Sequence, residues 1–349
     1  MFARGERHII YRVPFGTIVG HRRSVSLLSR AIARDTLPPS LLIAGPAGVG
    51  KRRAAMAIAE AVNCLQPLAT SELERDACGS CTACRRIERG VHPDVMVIEP
   101  GDAGSIKIEQ VREAIDRAGY RPFEGRRRVV IIDEADALVP AAQNALLKTL
   151  EEPPSASIFV LVSSIPDALL PTVLSRCPRL RFGSLSVADI TAVLMRDHEY
   201  SEADARAAAL DADGSIGRAL AAESADLVEA RADAHQLLEH TARRTDPAHQ
   251  LEGAKGITST KGTPAAERDR LAACLRSLAS LLRDIEILAT GADRRMLGNA
   301  DLEHALEPLT RAFDNRRCVR AYAAVDQALA ALERNASPKV VADWLVLQI

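Results

Sequence analysis

The chain has 349 residues, a formal net charge of −1 and 47% hydrophobic residues, of which few are aromatic (3% of the chain). That length accommodates two or three domains. The balanced charge excludes a global basic field that would draw the whole molecule to nucleic acid, and no run of about 20 apolar residues exists to span a membrane.

Thr17 to Ala33 reads as an entry loop and a helix, with Val25, Leu28 and Ile32 on one face. Pro38-Pro39 ends that approach, and Leu41 to Ala44 forms a short apolar strand. The strand stops at Gly45-Pro46-Ala47-Gly48-Val49-Gly50-Lys51, which satisfies G-x-x-x-x-G-K. Glycines let the backbone curl so that N–H groups point at phosphate oxygens, while the following helix start and lysine add positive potential. A working loop carries Ser or Thr next, because its hydroxyl holds magnesium. Here the residue is Arg52, whose guanidinium offers no lone pair to a metal. The chain therefore retains a nucleotide cradle and lacks one part of a nucleotide engine. Binding of ATP with magnesium is doubtful, and turnover is not expected.

After the helix from Lys51 come Cys64 and then Cys78-Gly79-Ser80-Cys81-Thr82-Ala83-Cys84. Two overlapping C-x-x-C steps bring three thiolates to one ion, and Cys64 makes four, with His92 as the reserve ligand. Four sulfurs and no open position suit structural zinc. Seven cysteines so arranged indicate a reducing compartment, and MFARGERHIIYRV lacks the apolar core of a secretory signal, so the cytoplasm is the expected location.

Asp94 to Glu99 is expected as a second strand and Ile106 to Gly119 as an amphipathic helix, with Ile108, Val111 and Ile115 inward. Arg126-Arg127-Arg128, expected at solvent or a subunit interface, leads into Val129 to Ile132 and then Asp133-Glu134-Ala135-Asp136. A buried strand ending in two carboxylates is the second half of a nucleotide site: Asp133 would orient magnesium and Glu134 would polarise water. Ala141 to Glu152 is a helix stopped by Pro153-Pro154. Ile158 to Val162 is a further strand ending in Ser163-Ser164, hydroxyls suited either to sensing a phosphate or to capping the next turn. Ser175-Arg176-Cys177 precedes a last strand at Leu180 to Phe182. Strands alternating with helices imply a mainly parallel, three-layer α/β sheet whose ligands bind at the carboxyl ends of its strands.

From Ser186 the strands stop. Ser186 to Arg196, Ser201 to Asp211 and Gly217 to Ala230 read as short helices, and Asp246 to Pro264 as an aperiodic linker. Beyond it, Cys274, Leu278, Leu281, Ile285 and Leu288 repeat at helical spacing, as do Leu302, Leu306, Leu309 and Phe313, and then Val325, Leu329 and Leu332. Cys274 and Cys318 read as small core residues, and Trp344 as an anchor for the last helix or an interface.

The phosphate-loop motif, the cysteine cluster, Asp133 to Asp136, the stretch Asn144-Ala-Leu-Leu-Lys-Thr-Leu-Glu-Glu-Pro-Pro154 and Ser175-Arg176-Cys177 occur in an order that resembles bacterial clamp-loader subunits of the AAA+ class. The resemblance runs from about residue 15 to the end and weakens after Arg218. It implies a P-loop domain over 1–183 with a zinc module at 64–84, a helical lid over 184–235 and an all-α collar over 236–349. Two subunit types fit, the ATP-hydrolysing gamma/tau motor and the delta-prime subunit. Arg52 favours delta-prime, as does a C-terminus without a proline-rich extension of the tau kind. The resemblance further implies a DNA polymerase III clamp loader built from motor, delta and delta-prime subunits that places a sliding clamp on primer–template DNA. In it Arg176 would project into a neighbouring motor's ATP site as an arginine finger. Gly45, Gly48, Gly50, Lys51, Arg52, Asp133, Glu134 and Ser163 would form this chain's own degenerate site, with Arg218 resembling the lid's second-sensor arginine.

Overall fold

The computed structural model describes residues 14–101, 104–221, 225–242, 251, 253, 254, 256, 257, 264–334 and 336–349. The chain divides into two compact units, one formed by residues 1–189 with 214–217 and the other by 190–213 with 218–349.

The first unit is built on a five-stranded sheet: β1 (Ser40–Ala44), β2 (Val95–Ile98), β3 (Arg128–Ile132), β4 (Ser157–Ser163) and β5 (Arg179–Arg181). Their order is β2-β3-β4-β1-β5, and every pairing is parallel. Parallel strands need crossovers, which α1 (Arg22–Ala33), α2 (Lys51–Asn63), α3 (Thr82–Glu88), α4 (Ile108–Ala118), α5 (Pro140–Glu151) and the short α6 (Pro171–Leu174) help to supply. Because both faces are covered, the strands read as continuous apolar runs, and the two-residue period sorts them between two cores. Leu41, Ile43, Val129, Ile131, Val160 and Val162 pack on one face with the helix-borne Ala54, Ile58 and Ile87. Leu42, Ala44, Val130, Ile132, Phe159 and Leu161 pack on the other with Val111, Leu146 and Val173. The three-layer parallel α/β expectation holds, with no strand end displaced by more than one residue.

Two loops of this unit are pinned by buried carboxylates. Asp76 accepts from the backbone N–H groups of Phe15, Gly16 and Ala77 at 2.7–2.9 Å. Asp94, fully buried, accepts from the N–H groups of Phe123, Glu124 and Gly125 at 2.7–2.9 Å and from Arg128 Nη2 at 2.9 Å. The three consecutive arginines therefore part company: Arg128 is buried against Asp94, Arg127 pairs with Asp35, and Arg126 is exposed.

In the second unit the described elements are all helices or 3-10 turns, and several boundaries differ from expectation. The stretch Gly217 to Ala230 is helical at Ile216–Ala221 and again in Ala225–Ala242, which runs well past Ala230, with residues 222–224 outside the described ones. The aperiodic linker lies partly outside the described residues, yet Leu251, Gly253, Ala254, Gly256 and Ile257 are helical, with Ala254 and Ile257 buried. Their three-residue step supplies enough of an apolar face to dock despite the glycines. Leu302 to Phe313 breaks into a four-residue helix, Glu303–Leu306, between 3-10 turns; Pro308 removes a backbone donor there, while Leu306, Leu309 and Phe313 still reach the core. The long helices Pro264–Thr290 and Asn315–Glu333 carry the rest of that core, and Cys274 and Cys318 are small members of it. Trp344 is exposed, so Val341, Ala342, Leu345 and Val346 anchor the last helix instead. No described helix is long and apolar enough to cross a membrane.

Candidate functional site

The carboxyl ends of β1, β4 and β3 lie side by side and bring the motif residues together. Gly45 to Gly50 follow β1, Ser163 ends β4, and Asp133 follows β3. A side chain at Gly45 would meet the Phe182 carbonyl oxygen at 1.8 Å, and one at Gly48, where φ is +72°, would meet Ser215 Oγ at 2.2 Å. Only glycine fits this closely wrapped loop.

Lys51, 6% exposed, is the first residue of α2. Its ammonium donates to the carbonyls of Gly45 at 2.8 Å and Pro46 at 2.6 Å and to Ser164 Oγ at 2.9 Å. Burial lowers its pKa, and the charges of Asp136, Asp133 and Glu134 pull it back up. Ser163 Oγ donates to Asp136 Oδ1 at 2.6 Å and accepts from the Ile165 N–H at 3.1 Å. It thus caps the turn after β4. Asp136 also accepts from the Ser164 N–H at 2.9 Å and so organises the end of β4. Sequence reasoning gave no role to Asp136, although it lies within the quoted acidic motif.

Arg52 decides what this pocket can do. Its guanidinium ion-pairs with Asp133 Oδ2 at 3.1 Å and with Glu99. Asp133 is 9% exposed; burial raises its pKa, while the nearby Arg52 charge lowers it. A magnesium ion in this position would need oxygen ligands. It meets instead a fixed cation that already holds the carboxylate, so these residues do not fit a magnesium site. Glu134 stands in the left-handed region at φ 49°, a conformation that costs a non-glycine residue energy and is common in functional turns.

The four cysteines form a second constellation. Cys64 closes α2, Cys78 sits in the following loop, Cys81 caps α3 and Cys84 lies in its first turn. Their sulfurs all lie within 4.8 Å of one another. The sulfurs of Cys64 and Cys81 are 4.0 Å apart and those of Cys81 and Cys84 are 3.5 Å apart, spacings close to the edges of a tetrahedron with metal–sulfur bonds of about 2.3 Å. Backbone N–H groups of Cys78, Cys81 and Cys84 point at sulfurs at 3.3–3.5 Å. Burial opposes ionisation of Cys78, yet N–H groups of Ser80 and Cys81 and the Cys64 thiol hold its pKa down to about 6. The donor set fits a metal ion. His92 is not part of it: its Nδ1 accepts from the Asp94 N–H at 3.2 Å and its Nε2 lies 3.5 Å from Glu124.

The two arginines singled out by resemblance lie elsewhere. Arg176, just after α6, pairs with Glu151 at 3.1 Å. Arg218 pairs with Asp213 at 3.1 Å within the second unit.

Residues 20–186 match the family described as DNA polymerase III, delta subunit. The delta' subunit of DNA polymerase III from Pseudomonas aeruginosa is 42% identical over 137 residues, covering 39% of this chain and 40% of that protein. The tau subunit from Salmonella typhimurium is 34% identical over 211 residues, covering 59% of this chain and 32% of that protein. The chain thus spans less than half the length of these relatives. A gamma subunit-related protein of Thermotoga maritima aligns over 92% of this chain and 96% of its own at 16% identity, with a TM-score of 0.39.

Proposed function

We propose that, through residues 20–186, the chain belongs to the AAA+ clamp-loader family and that it is a non-hydrolysing subunit of the delta-prime type. The observation that carries this reading is the pairing of Arg52 with Asp133. It puts a tethered cation on the carboxylate that an ATPase reserves for its metal. Lys51 and the loop glycines keep the cradle's shape, which supports a structural use of the old site.

In this reading the subunit acts on a neighbour's nucleotide. Arg176 reaches the ATP site of an adjacent gamma/tau motor and neutralises charge growing on the γ-phosphate, an effect of roughly 10³–10⁵ in rate for such fingers. The partners are the motor and delta subunits, and through them the sliding clamp and primer–template DNA, in the cytoplasm. Cys64, Cys78, Cys81 and Cys84 hold a structural zinc that fixes the α2–α3 connection. Residues 184–235 serve as lid, with Arg218 as a vestigial sensor, and residues 236–349 serve as collar.

An ATPase assay on the purified chain, with Lys51→Ala as control, tests the reading. No turnover above the control is expected. The tau-named relatives at 34% identity favour one other reading, an active motor; turnover abolished by Lys51→Ala would establish that reading instead.

A further inference from the structure

Resting on the reading of Arg176 as a finger for a neighbour's ATP, we propose that Glu151 is a positioning residue that holds the finger in a stand-by pose and sets how much of it is available. Arg176 is folded back on its own subunit. Its Nη2 lies 3.1 Å from Glu151 Oε2, and its Nη1 donates to the Thr172 carbonyl at 3.0 Å and lies 3.5 Å from Ser175 Oγ. Nε is buried and has no acceptor. The guanidinium is thus engaged on one edge and under-satisfied on another, a state that a phosphate oxygen would improve.

Glu151 is the last residue of α5. A carboxylate there faces the negative end of the helix dipole, so helix energetics disfavour it. The compensation present is the pairing with Arg176. Pro153-Pro154 follow after Glu152 and stop the helix here, which fixes where the carboxylate stands relative to α6.

The magnitude suits a bias rather than a lock. The Glu151 side chain is 61% exposed and that of Arg176 is 31% exposed. Pairs of this kind shift an equilibrium by no more than about five-fold. A γ-phosphate bearing several charges outcompetes one screened carboxylate. Only a finger released from Glu151 is competent, so the apparent activity scales with the released fraction.

The test uses the loader reconstituted with its motor and delta subunits, DNA and clamp, comparing Glu151→Gln, Arg176→Ala and the double variant. Glu151→Gln is expected to raise the stimulated ATPase about two- to five-fold at low salt, an advantage that fades as salt screens the wild-type pair. In the Arg176→Ala background the same change should do nothing, since the residue acts only through the finger. A Glu151→Gln rate equal to wild type at every salt, or a reduction of similar size with and without Arg176, overturns the proposal. An Arg176→Ala loader as fast as wild type sinks the finger reading itself, so the two failures are told apart.

Discussion

Arg52 and Asp94 show how single charges divide the work between function and stability. Arg52 is more than half exposed and pairs with two acids, so its contribution to folding is small and its effect falls on the site's chemistry. Asp94 is the opposite case. Burial works against its charge, but three N–H donors and Arg128 bring its pKa from 3.8 down to about 2. A folded-state pKa below the unfolded one stabilises the protein above the unfolded value, and that stability is lost as pH falls through the folded value. The window here is about pH 4 down to about 2, and the stake is about 2 kcal/mol. Asp94→Asn should therefore lower the urea midpoint clearly at pH 7 and hardly at pH 2. An equal loss at both pH values would mean that side-chain volume, not charge, is what the loop needs.

At the scale of elements, the strands and phosphate loop were legible because short-range rules govern them. Apolar runs mark β1, β3 and β4, and glycine spacing marks the turn before α2. The pairing of Arg52 with Glu99 was not legible, since Glu99 follows β2 and only sheet order brings it near α2. The same holds for His92, which looked like a ligand by sequence distance and is instead tied to Asp94 and Glu124. Helix boundaries in the second unit failed where glycine and proline fall inside apolar repeats, as at Pro308. The cysteine cluster was read correctly as four converging sulfurs. About one zinc per chain is expected by metal analysis of freshly purified, unchelated protein. Cys84→Ser should reduce that content and loosen α3, seen as faster amide exchange over residues 78–88. Metal-free protein with unchanged exchange would remove zinc from the account.

The second unit depends on long-range ties that no local pattern announces. Arg317 donates to the carbonyls of Ile349 at 2.9 Å, Ala312 at 3.0 Å and Thr241 at 2.7 Å, and lies 4.4 Å from the Phe313 ring centroid. One guanidinium thus joins the ends of three helical segments. Arg317→Ala should destabilise the unit by about 2–4 kcal/mol, since buried carbonyls lose charge-assisted donors, and Arg317→Lys should recover little because an ammonium lacks the fork; a midpoint shift under half a kilocalorie would show these bonds to be incidental. A cut at the 235/236 boundary expected between lid and collar would fall within the helix Ala225–Ala242, beside its buried Leu237 and Leu238. Assembly is better tested on the full chain by co-elution with motor and delta subunits, which the account expects. The most direct test of the whole reading is the DNA- and clamp-stimulated ATPase of that complex carrying either Lys51→Ala or Arg176→Ala in this chain. The account predicts an unchanged rate with Lys51→Ala and a rate reduced by an order of magnitude or more with Arg176→Ala. The reverse pattern, loss with Lys51→Ala and none with Arg176→Ala, would contradict it.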